Sequence, residues 1–325
     1  MSRRWPPAVV CGASILAVLA GLALAAPLLA PYDPDEQLDP AAGLLRPPGT
    51  ELAVVRLADG RVRLADRLQR TATGLTLERL GVSESWPAAQ VTNLTPGGVS
   101  ERRVFRLGSD KFGRDLLARL LFGARVSLGV ALIAVLFAAT VGVAIGAAAA
   151  LGGPWLDGLL MRALDALLAF PVLFLMITLA ALFRPGPLSI TILLGAVSWM
   201  TISRLTRAEL LSLKEREFIL AAIAMGQSRW RIFWRHLLPN AMTPVLIQST
   251  LLFGNVILAE SALSFLGMGV QPPTPTWGNL VAQGRDALPQ AWWIASFPGA
   301  AIALAVIGFN LLGEGLRDAW DPQRR

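Results

Sequence analysis

The chain has 325 residues, of which 54% are hydrophobic and only 16% charged, with a formal net charge of +7. An ordinary soluble domain carries roughly 25% charged residues, so this composition argues against a soluble catalytic core. The single cysteine, Cys11, and the single histidine, His236, exclude an intramolecular disulfide, a His- or Cys-rich metal centre and most nucleophile–base pairs. The basic excess is almost all arginine, Lys111 and Lys214 being the only lysines. It flanks apolar runs, which speaks for membrane topology and anionic headgroups and against nucleic acid as a partner.

Charge-free intervals locate the predicted helices in chain order. The first covers residues 5–32, after Arg3 and Arg4. It shares features with a signal peptide, but the run exceeds the roughly 7–15 residues of such a segment, so a retained helix is expected. Residues 33–125 then form an extracytoplasmic segment. Within it, 49–105 reads as a small insertion with some strand, because Ala58-Asp59-Gly60 separates two β-prone runs. So short a piece is expected to have little core of its own and to decorate the surface. Leu116, Leu117, Leu120 and Leu121 give one apolar helical face with Arg114 and Arg119 outside it, predicting an amphipathic helix on the outer membrane surface.

The second span is predicted over 126–156, the third over 166–183 with a kink at Pro171, and the fourth over 185–203. The fifth begins after Arg235 and reaches Leu258, and the sixth covers 287–313. Each holds about 18–25 helical residues, enough to cross a hydrocarbon core, where helix is the only backbone state that satisfies itself. The fold class is therefore all-α integral membrane, with about six transmembrane helices. The division is 1–32, 33–125 and a five-helix core 126–325 that contains the connection 206–240. Arg3, Arg4, Arg162, the run from Arg204 to Arg235, and Arg317, Arg324 and Arg325 all fall on one side, which the positive-inside rule makes cytoplasmic. Both termini are expected there. Asp165 and Glu260 lie in or at the rim of apolar spans and are candidates for gating or pathway contacts, with helix-end packing or gating preferred to direct substrate binding.

The connection 206–240 is long for an otherwise economical membrane protein, and such loops are usually functional. A helical pattern carrying Glu217, Ala221 and Ala222 ends at Gly226, a left-handed cap. Ser228 is a predicted N-cap for a second short helix. On it Trp230, Phe233 and Trp234 share a face, while Arg231 and Arg235 lie together elsewhere. His236 is read as structural or interfacial rather than catalytic. Leu238 and Pro239 open the fifth span. From periodicity alone two readings stay open: insertion into a groove on a cytoplasmic partner, or a helix lying on anionic lipid.

Ala221-Ala222, Gly226 and His236-Leu237-Leu238-Pro239-Asn240 match, in type and spacing, the cytoplasmic motif of a known family. Leu107-Gly108-Ser109-Asp110, Gly113-Arg114-Asp115, Ala169-Phe170-Pro171, the run Ala259 to Gly267, Pro272 to Asn279 and Gly315-Leu316-Arg317-Asp318 match further motifs in the same order. The chain, outside 49–105, resembles the inner-membrane permease subunits of binding-protein-dependent ABC importers, in the dipeptide, oligopeptide and nickel branch. The resemblance implies a coupling helix seated on an ATPase subunit, alternating access driven by ATP and Mg on that partner, a second related permease and an extracytoplasmic substrate-binding protein. It implies a bacterial or archaeal inner membrane and no cofactor on this chain. The docking residues it implies are Glu217, Ala221, Ala222, Gly226, Ser228, Trp230, Phe233, Arg235, His236, Leu238 and Pro239. Leu220 departs from the family, which commonly has Glu there.

Three rivals are weaker. An intramembrane hydrolase lacks His-Glu-x-x-His and Gly-x-Ser-x-Gly. A phosphate loop, Gly-x-x-x-x-Gly-Lys-Ser/Thr, is absent, so the chain is not the ATPase. An ATP-independent secondary transporter would favour inverted repeats. Peptides are the expected cargo, with nickel or another metal chelate as the alternative.

Overall fold

The computed structural model describes residues 5–71, 74–95, 98–182 and 186–320. In chain order it holds α1 (Pro7–Leu24), the helical turns α2 (Ala26–Leu29) and α3 (Pro40–Gly43), and strands β1 (Thr50–Arg56), β2 (Val62–Ala65), β3 (Arg67–Arg70), β4 (Gly74–Arg79), β5 (Val82–Pro87), β6 (Leu94–Thr95), β7 (Gly98–Val99) and β8 (Glu101–Phe105). There follow α4 (Leu116–Leu151), α5 (Pro154–Leu168), α6 (Val172–Leu182), α7 (Pro187–Lys214), α8 (Glu217–Ala224), α9 (Arg229–Ile232), α10 (Leu238–Phe265), α11 (Trp277–Arg285) and α12 (Trp293–Trp320). Contacts divide the chain into two units. One holds the described residues up to Gly21, Val126–Gln271 and those from Ala301 on; the other holds Leu22–Arg125 and Pro272–Ala300. Pro272–Ala300 therefore leaves the 126–325 block drawn from sequence.

The first unit is helical and apolar. Among the described residues five helices have the length and hydropathy to cross a membrane: α1, α4, α7, the continuous run Arg229–Phe265, and α12; the bent pair α5 and α6 makes a sixth if taken as one span. α1 ends inside its charge-free interval at Leu24, but some helices overrun theirs, because a helix keeps its hydrogen bonds after it leaves hydrocarbon and charged side chains there are hydrated. Thus α4 starts ten residues early and α7 continues past Arg204 and Arg207 to Lys214. The predicted third span is interrupted where its kink was expected. It is split into α5 and α6, bent by 86°, with the break at Ala169-Phe170-Pro171. Pro171 has no N–H and disfavours helix at Phe170, so the chain turns there rather than kinking gently. Phe183, at the end of the predicted third span, and Pro185, at the start of the predicted fourth, lie outside the described residues. Small residues bring α1 and α12 together: a Cβ on Gly12 would lie 2.6 Å from the backbone nitrogen of Leu312 and 2.7 Å from the carbonyl of Gly308. Such close backbone approach supplies the packing that hydrophobicity cannot supply in lipid.

The second unit contains the insertion, which is more ordered than its length suggests. Strands β1 and β2 form the hairpin signalled by Asp59-Gly60, with Arg56 opposite Val62. The sheets run β2-β1-β8 and β3-β4-β5, all antiparallel, with a β6-β7 ribbon. Contrary to the expectation of little core, two clusters are closed off from water. One contains Val55, Ala65, Leu75 and Leu77; the other contains Leu52, Leu64 and Phe105. Asp39 ties the insertion to α3: it accepts from Arg79 at 2.8 and 3.0 Å, from the Leu64 N–H at 3.1 Å and from the Ala42 N–H at 3.3 Å. Burial alone would raise this carboxyl, but Arg79 and the two backbone donors hold it below its ordinary value.

The amphipathic surface helix predicted near Arg114 is also corrected. Arg114 and Arg119 are buried at 3% and 0% exposure. Asp110 accepts from Arg114 Nε at 2.7 Å, Arg119 reaches Asp35 at 2.7 Å and the Pro273 carbonyl at 3.3 Å, and Arg114 also donates to Gln283 at 3.3 Å. Distant parts of the chain cover the polar face that the leucine pattern left open. Paired guanidinium groups survive burial when fixed acceptors meet most of their donors, as in these two, where Arg119 Nε alone has no hydrogen bond among the described residues and lies 3.5 Å from Asp110.

Candidate functional site

The connection 206–240 resolves into the end of α7, a break at Glu215 and Arg216, α8, a second break, and then one continuous helical run from Arg229 to Phe265. α8 is a separate helix of eight residues. Glu217 opens it, where a carboxylate suits the positive end of the helix dipole. Gly226 ends it with φ +73°, and the Gln227 N–H reaches back to the Ala222 carbonyl at 3.2 Å, closing a glycine cap.

α8 has two unlike faces. Ile219 (1% exposed) and Ala222 (2%) pack into a cluster with Ala147 and Ala150 of α4, Leu210 of α7, and Ile232, Phe233, Leu237 and Ala241. Phe218, Leu220, Ile223 and Met225 remain exposed, Met225 at 71%. The base beneath is braced. Lys214 donates to the Ala150 carbonyl, Arg207 pairs with Asp157 of α5, and Arg204 pairs with Asp165. Exposed apolar side chains flanking the buried stripe of a rigidly seated helix are the make-up of a docking element.

The predicted second helix is corrected. Ser228 does cap it, accepting from the Arg231 N–H at 3.3 Å. Yet α9 does not stand alone; it passes through a π turn, Phe233–Leu237, directly into α10. Pro239 gives the reason. It cannot donate to the preceding turn and its ring crowds the carbonyl four residues back, so the helix widens there, and Leu238 bonds to the Phe233 carbonyl. The three rings touch, with centroids 5.2–6.1 Å apart, but they do not share one environment. Phe233 is buried at 8%, while Trp230 and Trp234 are exposed at 70% and 51%.

Comparison with known proteins decides the family. Residues 140–325 match the family described as binding-protein-dependent transport system inner membrane component. Residues 6–48 match the N-terminal TM domain of oligopeptide transport permease C. The chain belongs to the first of these families. A Brucella suis protein named "Putative peptide transport system permease protein" is 42% identical over 275 residues, covering 81% of this chain and 92% of its own. A dipeptide transport system permease protein of Alkalihalophilus pseudofirmus is 43% identical, covering 67% of this chain and 72% of its own. A di/tripeptide transport system permease protein of Pseudomonas aeruginosa is 42% identical over the same shares. Among solved structures, an inward-facing MetNI methionine ABC transporter matches with a TM-score of 0.53 at 17% identity, over 62% of this chain and 97% of that one. The fold is that of an ABC transporter permease.

In this permease the residues singled out from sequence fall in three places. Glu217 and Ala221 lie exposed on α8, with Ala222 turned into the cluster and Gly226 at the cap. Ser228, Trp230 and Arg235 are exposed on the helix that follows; Phe233 is buried, and His236 and Leu238 are half-buried. Pro239 is exposed, and His236 accepts the Asn240 side chain on its carbonyl at 2.6 Å, while its ring Nε2 has no partner among the described residues. Asp165 and Glu260 are not brought together. Asp165 is an exposed partner of Arg204, whereas Glu260 is 1% exposed and accepts from Ser264 on its own helix at 2.8 Å. Sequence reasoning missed Phe218, Ile223 and Met225. The run Phe218–Ala224 is apolar without interruption, so periodicity had no polar face from which to choose a buried one.

Proposed function

We propose that the chain is a pore-forming permease of an importer for dipeptides or oligopeptides, with no ATPase site of its own. It works with ABC ATPase subunits that bind ATP and Mg, a second related permease and an extracytoplasmic substrate-binding protein. Both termini and α8 lie on the cytoplasmic side, as the arginine distribution requires. The names and coverage of the peptide permease relatives support the cargo.

The observation that carries the coupling role is the two-faced α8. Its inner face is locked to the ends of α4, α7 and α10, so a push on the outer ridge reaches three membrane helices at once. Its outer face presents Phe218, Leu220, Ile223 and Met225 to a partner. Leu220 makes this contact apolar where the resembling family commonly has a charge. Trp230, Trp234, Arg231 and Arg235 are exposed beside it and extend the surface offered to the ATPase subunit.

The test is the pair Ile223→Asp and Met225→Asp. Both side chains are exposed, at 56% and 71%, so insertion and folding are expected to be normal. Co-purification of the ATPase subunit, and with it uptake of a labelled dipeptide into cells, should fall at least tenfold. Wild-type ATPase recovery from both variants would move the docking surface off α8.

A further inference from the structure

Between α6, α7 and α10 the helical unit holds a cavity of about 330 Å³. Its walls are mostly apolar, from Met176, Leu252 and Val256 among others. Three polar side chains interrupt them: Ser198 and Thr201, one turn apart on α7, and Asn255 on α10. Thr201 and Asn255 are exposed and Ser198 is half-buried.

Four other polar side chains on these helices satisfy themselves, while the hydroxyls of Ser203 and Ser249, without a partner among the described residues, are buried in the bundle. Thr191, Thr206, Thr250 and Ser261 each donate to the carbonyl four residues earlier, at 2.7–2.9 Å. Ser198, Thr201 and Asn255 have no hydrogen-bond partner among the described residues. Acyl chains offer neither donor nor acceptor, so a membrane helix that presents an unpaired amide to lipid carries a heavy desolvation cost. Polar side chains in spans face a bundle interior or a wet cavity for this reason. The row continues along α7 to Arg204, paired with Asp165, both about half exposed. A partly hydrated ion pair at the end of the row is what an aqueous track would leave.

We infer that this cavity is a water-accessible stretch of the translocation pathway, and that Ser198, Thr201 and Asn255 contact the backbone amides of a passing peptide. The inference rests on the permease reading. Two hydroxyls and a carboxamide can each donate and accept, so they match peptide N–H and C=O groups whatever the side chains. No fixed charge lines the cavity, so it holds a peptide weakly and lets it leave. Mostly apolar walls with a few convergent polar groups are the usual make-up of a small-molecule site.

Cys11 is the only native cysteine, so the test starts from a Cys11→Ser complex in membrane vesicles. Thr201→Cys and Asn255→Cys are compared with Ile192→Cys and Leu258→Cys, exposed apolar positions on the same two helices. The probe is a charged, membrane-impermeant thiosulfonate, applied under ATP turnover. Labelling at Thr201 and Asn255 should be at least tenfold faster than at the controls and should slow when dipeptide is added. Asn255→Leu should raise the KM for dipeptide import several-fold, and Asn255→Gln should restore it. Equal labelling at all four positions in a complex that still imports peptide would overturn the pathway assignment alone. No ATP-driven peptide import by the Cys11→Ser complex would overturn the importer reading, and this inference with it.

Discussion

Asp115 shows how one buried atom sets a measurable pH dependence. It precedes α4 and accepts the Ala118 N–H at 2.7 Å through one oxygen; the other has no partner among the described residues. Burial pushes its carboxyl up to about 6, against the opposing pull of the Ala118 N–H and Arg103. The folded state therefore holds this proton more tightly than the unfolded chain does. The resulting stability is fully present below the ordinary carboxylate value and is lost as pH rises through about 6. Asp115→Asn keeps the capping oxygen and removes the charge. At pH 8 it should be more stable than wild type by up to about 3 kcal/mol, with the gap closing towards pH 4. Thermal unfolding of the detergent-purified chain across that range measures it, and a gap independent of pH would refute the assignment. The same neighbourhood marks a limit of sequence reading. The leucine spacing around Arg119 reveals one apolar face correctly, but Asp35 and Pro273, which cover the opposite face, lie 84 and 154 positions away. No local pattern reports them.

At the scale of elements, Gly226 tests whether α8 must end where it does. Its φ of +73° lies in the left-handed region, yet a Cβ there would meet nothing within 4 Å. The penalty for substitution is thus backbone strain and not a clash, about 1–2 kcal/mol for most residues. Gly226→Val should shift α8 on its seat and uncouple ATP hydrolysis from import while the protein still inserts. Gly226→Asn, which tolerates this conformation, should keep coupling. Identical coupling ratios in the two variants would show that the cap does not matter. The element-level features legible in the sequence were those with a local cause: the glycine cap, the Ser228 cap, the Asp-Gly hairpin and the apolar spans. The end of α7 was read short, since the first charge was taken as the end of the helix, whereas α7 carries three basic residues beyond its apolar stretch; the ends of α1 and α4 were read long. The π turn before Pro239 and the 86° break at Pro171 had a visible cause in each proline, but not a visible size.

At the scale of the molecule, the insertion poses a question that its own wiring answers. Thr50 and Phe105 are paired neighbours across β1 and β8, so the chain enters and leaves at adjacent points, and a short turn can replace what lies between at small entropic cost. Within its unit the insertion is held by Arg79–Asp39, Arg46–Asp66 and Arg103–Glu36, at 2.8, 2.6 and 2.8 Å. Removing the whole insertion takes away both the arginine and the cover over Asp39, so that carboxylate regains water. Arg79→Met leaves the cover in place and strands a carboxylate whose side chain is only 3% exposed, at a cost of about 3 kcal/mol or more. The single substitution should therefore lower thermal stability more than excision of residues 51–104 does. Excision should also leave complex assembly and peptide import intact, as expected of a surface addition on a working permease. If the excised complex assembles with its ATPase but imports nothing, the insertion is part of how the importer receives its substrate. The Arg79→Met variant, folded near room temperature with the strands still in place, should then import normally, because the surface that a delivery partner would touch is still there.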